Sequence, residues 1–199
     1  MRKGFALATV VLTISAAPLF AQTNTDRTAK PAPALAKAAQ SKMKMASDEH
    51  FVKDAAGANV AEVELGRLAT QKASGDDVKK FGQRMVDEHS KANDELKTLV
   101  QGKNITLPNT MDAAHKAVHD RLAKLSGVAF DRSYVREMVA GHRKVAAEFR
   151  AESMNGKDAD VKAFASKMLP TIEEHLKEAE GLSSKAVGTS GTVRPPAKK

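Results

Sequence analysis

Apolar residues recur along the chain in steps of three and four, and the recurrence draws four long stripes. Between Val78 and Leu99 the stripe is Val78, Phe81, Met85, Ala92, Leu96 and Leu99, one face of an α-helix. His89 sits on that face, where an apolar residue would pack better. An earlier stripe of Phe51, Ala55, Ala58, Glu62, Leu65 and Ala69 predicts a helix from about Asp48 to Lys72, with Ser47 as N-cap. Ser74-Gly75-Asp76 breaks it and starts the second helix, which runs to near Gly102. Asn104 to Asn109, containing Pro108, is a connector, and Thr110 caps a shorter helix to about Ser126. Gly127 stops that helix. Asp131 caps the next, to about Ser153, striped by Val135, Met138, His142, Val145 and Phe149. Asn155-Gly156 turns the chain into a last helix from Asp158 to Leu182. Its stripe is Val161, Phe164, Met168, Ile172, His175, Ala179 and Leu182, with Pro170 inside, where a missing backbone donor predicts a kink.

The stripes repeat in a coarse way. Val78-Lys79-Lys80-Phe81 with Met85 returns as Val161-Lys162-Ala163-Phe164 with Met168, each after a turn containing glycine and an acid. The predicted fold is therefore all-α: two antiparallel helical hairpins joined by a long crossover that carries a short extra helix. That is the ferritin-like form of the four-helix bundle.

Composition changes this picture only at the ends. The chain has 199 residues, enough for one domain with a real core, and its aromatics are few: seven Phe, one Tyr and no Trp. It has no cysteine, hence no disulfide and no thiolate metal site. Arg2 and Lys3 precede an apolar run from Phe5 to Ala17 that is too short for a stable span, and Leu19-Phe20-Ala21 ends in a small residue. Residues 1–21 are read as a signal peptide cleaved near Ala21, which predicts a periplasmic or secreted protein with no transmembrane span after cleavage. Residues 22–46, mixing Ala, Pro, Lys and Thr, are read as a disordered linker, and 183–199 as a disordered basic tail.

Of the net charge of +8, residues 1–21 carry +2, the linker +4 and the tail +4, which leaves −2 for the domain at 47–182. A domain without a basic surplus argues against nucleic acid as a partner. The basic ends suit an anionic envelope polymer or lipid surface, or remain solvated.

Several of these stretches together carry a resemblance. Phe51-Val52, Ala61-Glu62-Val63-Glu64-Leu65-Gly66, Met85-Val86-Asp87-Glu88-His89, Leu125-Ser126-Gly127 and Phe130-Asp131 are among them. So are Tyr134-Val135, Met138-Val139 with His142, and Leu169-Pro170 with His175. The chain from about Phe51 to Ala179 resembles the exported bacterial family called domain of unknown function 4142 (DUF4142), placed among ferritin-like folds. The resemblance implies fold and compartment, and no reaction. Gly141 stands before His142 where that family often has an acid, so a carboxylate partner for the ring is missing there.

The candidate chemistry lies on the stripes. Glu62, His89, His142 and His175 each put one polar group on an apolar face, and a buried polar group without a partner is costly. A shared ion of iron, manganese, zinc or copper would satisfy all four. Glu88 and Glu174, each one residue before a histidine, could add ligands or orient the rings. Met85 lies four residues before His89, and Met138 four before His142; a thioether beside an imidazole suits reduced copper. Neither hairpin has the Glu-x-x-His pair of di-iron bundles.

Counted from the hairpin turns at ~1.5 Å per residue, His175 falls roughly 10 Å from the level of the other three, where Met168 stands. It would then pair with Tyr134 or Asp131. His50, His115 and His119 read as solvated. No phosphate loop or nucleophile elbow occurs. The first reading is therefore a non-catalytic envelope or stress-related binding protein, and the second a metal-binding ferritin-like protein.

Overall fold

The computed structural model describes residues 33–188, with side-chain surroundings given for 48–185. The expected signal peptide, the first part of the linker and the end of the basic tail lie outside the described residues. Those residues form five helices and no strand: α1 (Pro33–Lys72), α2 (Asp76–Leu99), α3 (Ala113–Ala123), α4 (Gly127–Asn155) and α5 (Ala159–Gly188). Among them no helix is long and apolar enough to cross a membrane.

The long stripes fall on helices, but several boundaries move. Helix α1 begins at Pro33 rather than near Asp48, so Ser47 lies inside it and much of the expected linker is helical. The physical reason is local: residues 33–46 are rich in Ala, Lys and Met, all good helix formers, and proline suits a first helical position. Helix α5 likewise runs past Leu182 to Gly188, into the expected tail. Asp112, not Thr110, caps α3, its carboxylate accepting from the His115 amide. Helix α4 starts at Gly127 (φ 60°), in the left-handed region that glycine tolerates. Asp131 is thus inside α4. It caps a different segment, accepting from Ser74 N (3.0 Å), Ser74 Oγ (2.6 Å) and Gly75 N (2.9 Å) in the α1–α2 turn. Pro170 is enclosed by α5, which continues on both sides of it.

Helix α1 packs on α2 and α4 on α5, and the two hairpins meet through α1–α4 and α2–α5. Two carboxylates fix their relative direction. Asp131 near the start of α4 holds the α1–α2 turn, while Asp48 on α1 accepts from Lys157 N (3.0 Å) and Asp158 N (2.6 Å) in the α4–α5 turn. The two turns therefore lie at opposite ends, and every neighbouring pair of long helices is antiparallel.

Apolar side chains fill two clusters. One gathers Leu65, Phe81, Met85, Phe130, Tyr134 and Met138; the other gathers Phe51, Val52, Leu96, Phe149, Phe164 and Ile172. Between them the interior turns polar.

The Asp48 end also holds Glu152, buried beside Asp48. Burial, then the Asp48 charge, pushes its carboxyl up to about 7. From the ordinary value of 4.5 up to about 7 the folded chain keeps a proton that the unfolded chain has released. Its contribution is full below that window and is lost as pH rises through it. The buried His89 and His175 rings titrate with the opposite sign, so the Glu152 contribution is read as the difference between Glu152→Gln and wild type. In scanning calorimetry the variant should melt about 2–4 °C higher than wild type at pH 8, the equivalent of about 1 kcal/mol, and should not gain at pH 5.

Candidate metal centre

His89 from α2, His142 from α4 and His175 from α5 meet in the polar layer between the two apolar clusters. Ring centroids stand 5.8 Å (His89–His142), 5.3 Å (His89–His175) and 5.4 Å (His142–His175) apart. The residues are only 7, 2 and 1 % exposed. One nitrogen of each ring lies within 4.8 Å of the others.

Each ring is held by its remaining nitrogen. His89 Nδ1 donates to Asn59 Oδ1 (2.8 Å), His142 Nδ1 to the Met138 carbonyl (2.9 Å), and His175 Nε2 to Glu88 Oε2 (2.7 Å). All three partners are acceptors, so in each neutral ring the hydrogen is on the outward nitrogen and the lone pair is on the other. Those other atoms, His89 Nε2, His142 Nε2 and His175 Nδ1, are buried without a hydrogen-bond partner.

Electrostatics keep the His89 and His175 lone pairs available. Burial, then the neighbouring His142 and His175, hold the His89 ring well below the ordinary imidazole range. Burial lowers His175 to about 4, although its bond to Glu88 works against that. Glu88 is itself anchored by Arg84 (Nε to Oε1, 2.8 Å), and Arg84 also donates to Glu178 (2.8 Å). Burial would raise the Glu88 carboxyl, but the bonds from Arg84 and His175 outweigh it and the net shift is downward.

The cavity beside the rings measures about 20 Å³ and is lined by Asn59, Glu62, Met168 and Thr171 as well as the histidines. That volume admits one water-sized species. A water has two hydrogens to donate and so leaves one of three acceptors unpaired; a single cation can accept all three lone pairs. Imidazole nitrogens with their far sides fixed by a carboxylate or carbonyl are the arrangement that orients metal-binding histidines.

The expected level of His175 is overturned. Helices α2 and α5 are antiparallel, and cross-pairs Lys103–Asp158, Glu95–Lys167, Arg84–Glu178 and Asp77–Lys185 set their register. That register puts His175 opposite Glu88 and level with His89. Counting heights from two turns that lie at opposite ends missed it. His175 accordingly pairs with Glu88, not with Tyr134 or Asp131. Phe81 stands edge-on to both Tyr134 (6.3 Å) and His175 (6.5 Å), and Asp131 is engaged at the α1–α2 turn.

Glu62 is outside the three-nitrogen group. Its Oε1 is 3.9 Å from His142 Nδ1, whose hydrogen already serves Met138, and its Oε2 is buried without a partner. Burial raises its carboxyl, with His142 and His115 partly offsetting this.

The methionines separate. Met85 packs in the first apolar cluster, Met138 contributes its carbonyl, and Met168 lines the cavity. Glu174 is on the surface with Arg84. His50 pairs with Asp54, His115 with Asp112 and His119 with Asp120, each away from the centre.

Two participants went unnoticed in the sequence. Asn59 is a poor helix former in an alanine-rich stretch, which was a signal. The Met138 carbonyl gives none, because backbone acceptors have no sequence signature.

Over residues 32–182 the chain matches the family model described as Domain of unknown function (DUF4142). No curated protein and no solved structure matches it.

Proposed function

The chain belongs to the DUF4142 family, and from that premise and the three histidines we propose that it binds one late transition-metal ion, zinc or copper, through His89, His142 and His175. One observation carries this reading: three buried, inward lone pairs, each on a ring fixed from behind, around a space that holds one small species. An all-nitrogen set favours zinc or copper over manganese, which prefers carboxylate and water oxygens. Three imidazoles leave a fourth tetrahedral position, and Met168 on the cavity wall would offer a thioether to reduced copper.

The role is binding rather than turnover, since a cavity of about 20 Å³ leaves no room for an organic substrate beside the ion. The antiparallel neighbours and the crossover carrying α3 support a ferritin-like four-helix bundle. The positive, apolar N-terminal residues support export to the periplasm, and the basic ends would favour anionic envelope polymers or lipids.

Tag-free protein equilibrated with zinc(II) or copper(II), desalted and measured by elemental analysis should retain about one ion per chain. Less than about one tenth of an ion with both metals would reject the reading.

A further inference from the structure

We propose that the metal ion reaches the three histidines from the cleft beneath the crossover, with Glu62 handing it inward. The inference rests on the metal reading above and adds the route.

A cleft of about 610 Å³ lies between α1, α4 and the chain that crosses over between α2 and α4. Asp54, Asp112, His115 and Glu148 line it with carboxylate oxygens and a ring nitrogen. Of its two lysines, Lys53 pairs with Glu49 outside the cleft (2.6 Å) and Lys144 with the cleft's own Glu148 (3.6 Å).

The cleft and the histidine cavity share a wall made of Ala58, Glu62 and Val145, in which Glu62 is the one polar residue. The wall shared with the large cavity at the Asp48 end is Ala55, Ala58, Val145 and Phe149, entirely apolar. A hydrated cation shedding water needs a replacement oxygen at each step, because bare charge in an apolar gap is prohibitively unfavourable. Of these two walls, the Glu62 wall supplies one and the other does not.

On the opposite face the carboxylate is already engaged. Glu88 behind His175 is locked to Arg84, which also binds Glu174 (3.3 Å) and Glu178.

Glu62 is also free to move. Neither carboxylate oxygen is tied by a hydrogen bond: Oε2 is buried and unpartnered, and Oε1 faces a His142 nitrogen whose hydrogen is already used. Across from it α4 presents Gly141, where even a Cβ would come to 3.6 Å of Glu62 Oε1. Bare backbone at that position leaves the carboxylate room to swing between cleft and cavity.

The test is kinetic. Zinc(II) uptake by metal-free full-length protein, and zinc removal by excess chelator, are followed by stopped flow for wild type, Glu62→Gln and Glu62→Ala. Both variants should still hold about one zinc per chain with little change in affinity. Both should exchange it slower than wild type, by about tenfold or more for a lost charged relay.

Unchanged rates in both variants would overturn the route. Faster exchange in Glu62→Ala would overturn it too, because Glu62 would then be a plug. Loss of zinc binding in Glu62→Gln would make Glu62 a ligand, again against the proposal. Wild type that holds no zinc or copper would instead reject the metal centre itself, so the two failures are distinct.

Discussion

Protein carrying His89→Ala and His142→Ala together is expected to hold no tightly bound zinc or copper and to show no stabilisation by either metal. The double substitution removes two of three inward nitrogens, and a lone buried imidazole has no chelate partner. In wild type a metal present at a thousandfold over its Kd adds about 4 kcal/mol to folding. For a chain of this size that is a rise in Tm of about 8–16 °C. In the variant the rise should be below about 1 °C. A purely structural role for the rings predicts another pattern: large-to-small truncation in the core would lower the metal-free Tm, and metal would move neither protein. Each metal-free ring also carries an unpaired buried nitrogen, which is itself unfavourable by about 1–3 kcal/mol. Removing the rings relieves that cost but also takes the donors from Asn59 Oδ1 and the Met138 carbonyl, so the response to metal, not the metal-free Tm, separates the two roles. Differential scanning calorimetry with and without zinc distinguishes the two patterns.

Gly66→Ala should be strongly destabilising for a single added methyl, because α1 and α2 touch backbone to backbone there. A Cβ on Gly66 would stand 2.5 Å from the Gly82 carbonyl oxygen, and one on Gly82 would stand 2.7 Å from the Ala69 Cβ and 2.9 Å from the Gly66 oxygen. Backbone cannot rotate away as a side chain can, so the helices must separate. Replacing a mid-helix glycine by alanine ordinarily gains about 1 kcal/mol; overpacking of this kind loses about 1–3 kcal/mol, occasionally more. The net expectation is a loss of about 2 kcal/mol in urea unfolding with helical circular dichroism intact. Gly181 provides the contrast. It lies in α5 with nothing within 4 Å of its would-be Cβ, so Gly181→Ala should be neutral or stabilising. The strain should also reach the centre. Asn59 and His89 lie on the same two helices, and their 2.8 Å bond depends on the spacing that Gly66 and Gly82 permit. Gly66→Ala should therefore weaken metal binding as well as folding.

The stripes made four long helices legible, because burial of an amphipathic face is local in sequence. Helix ends were less so. Asp131 has the chemistry of a cap and is one, but of a turn 57 residues earlier in the chain, a partnership that only packing creates. Ser47 falls inside α1 rather than at its start, and Asp112 caps α3 in place of Thr110. The polar residues on apolar faces were also visible, since a histidine among Met, Ala and Leu needs a reason to be there. Their meeting was not visible, because it depends on the register between α2 and α5. That register is set by surface pairs such as Asp77–Lys185, whose members lie 108 residues apart. Glu62 illustrates the same limit. Its helical phase put it on the interior face, yet distance leaves it beside the three-nitrogen group rather than within it.

X-ray absorption at the edge of the bound metal, on tag-free wild-type protein, tests the central claim most directly. The account predicts a first shell dominated by about three nitrogens at ~2.0–2.1 Å, with the outer scattering of imidazole rings. A shell of oxygens without imidazole scattering would contradict it.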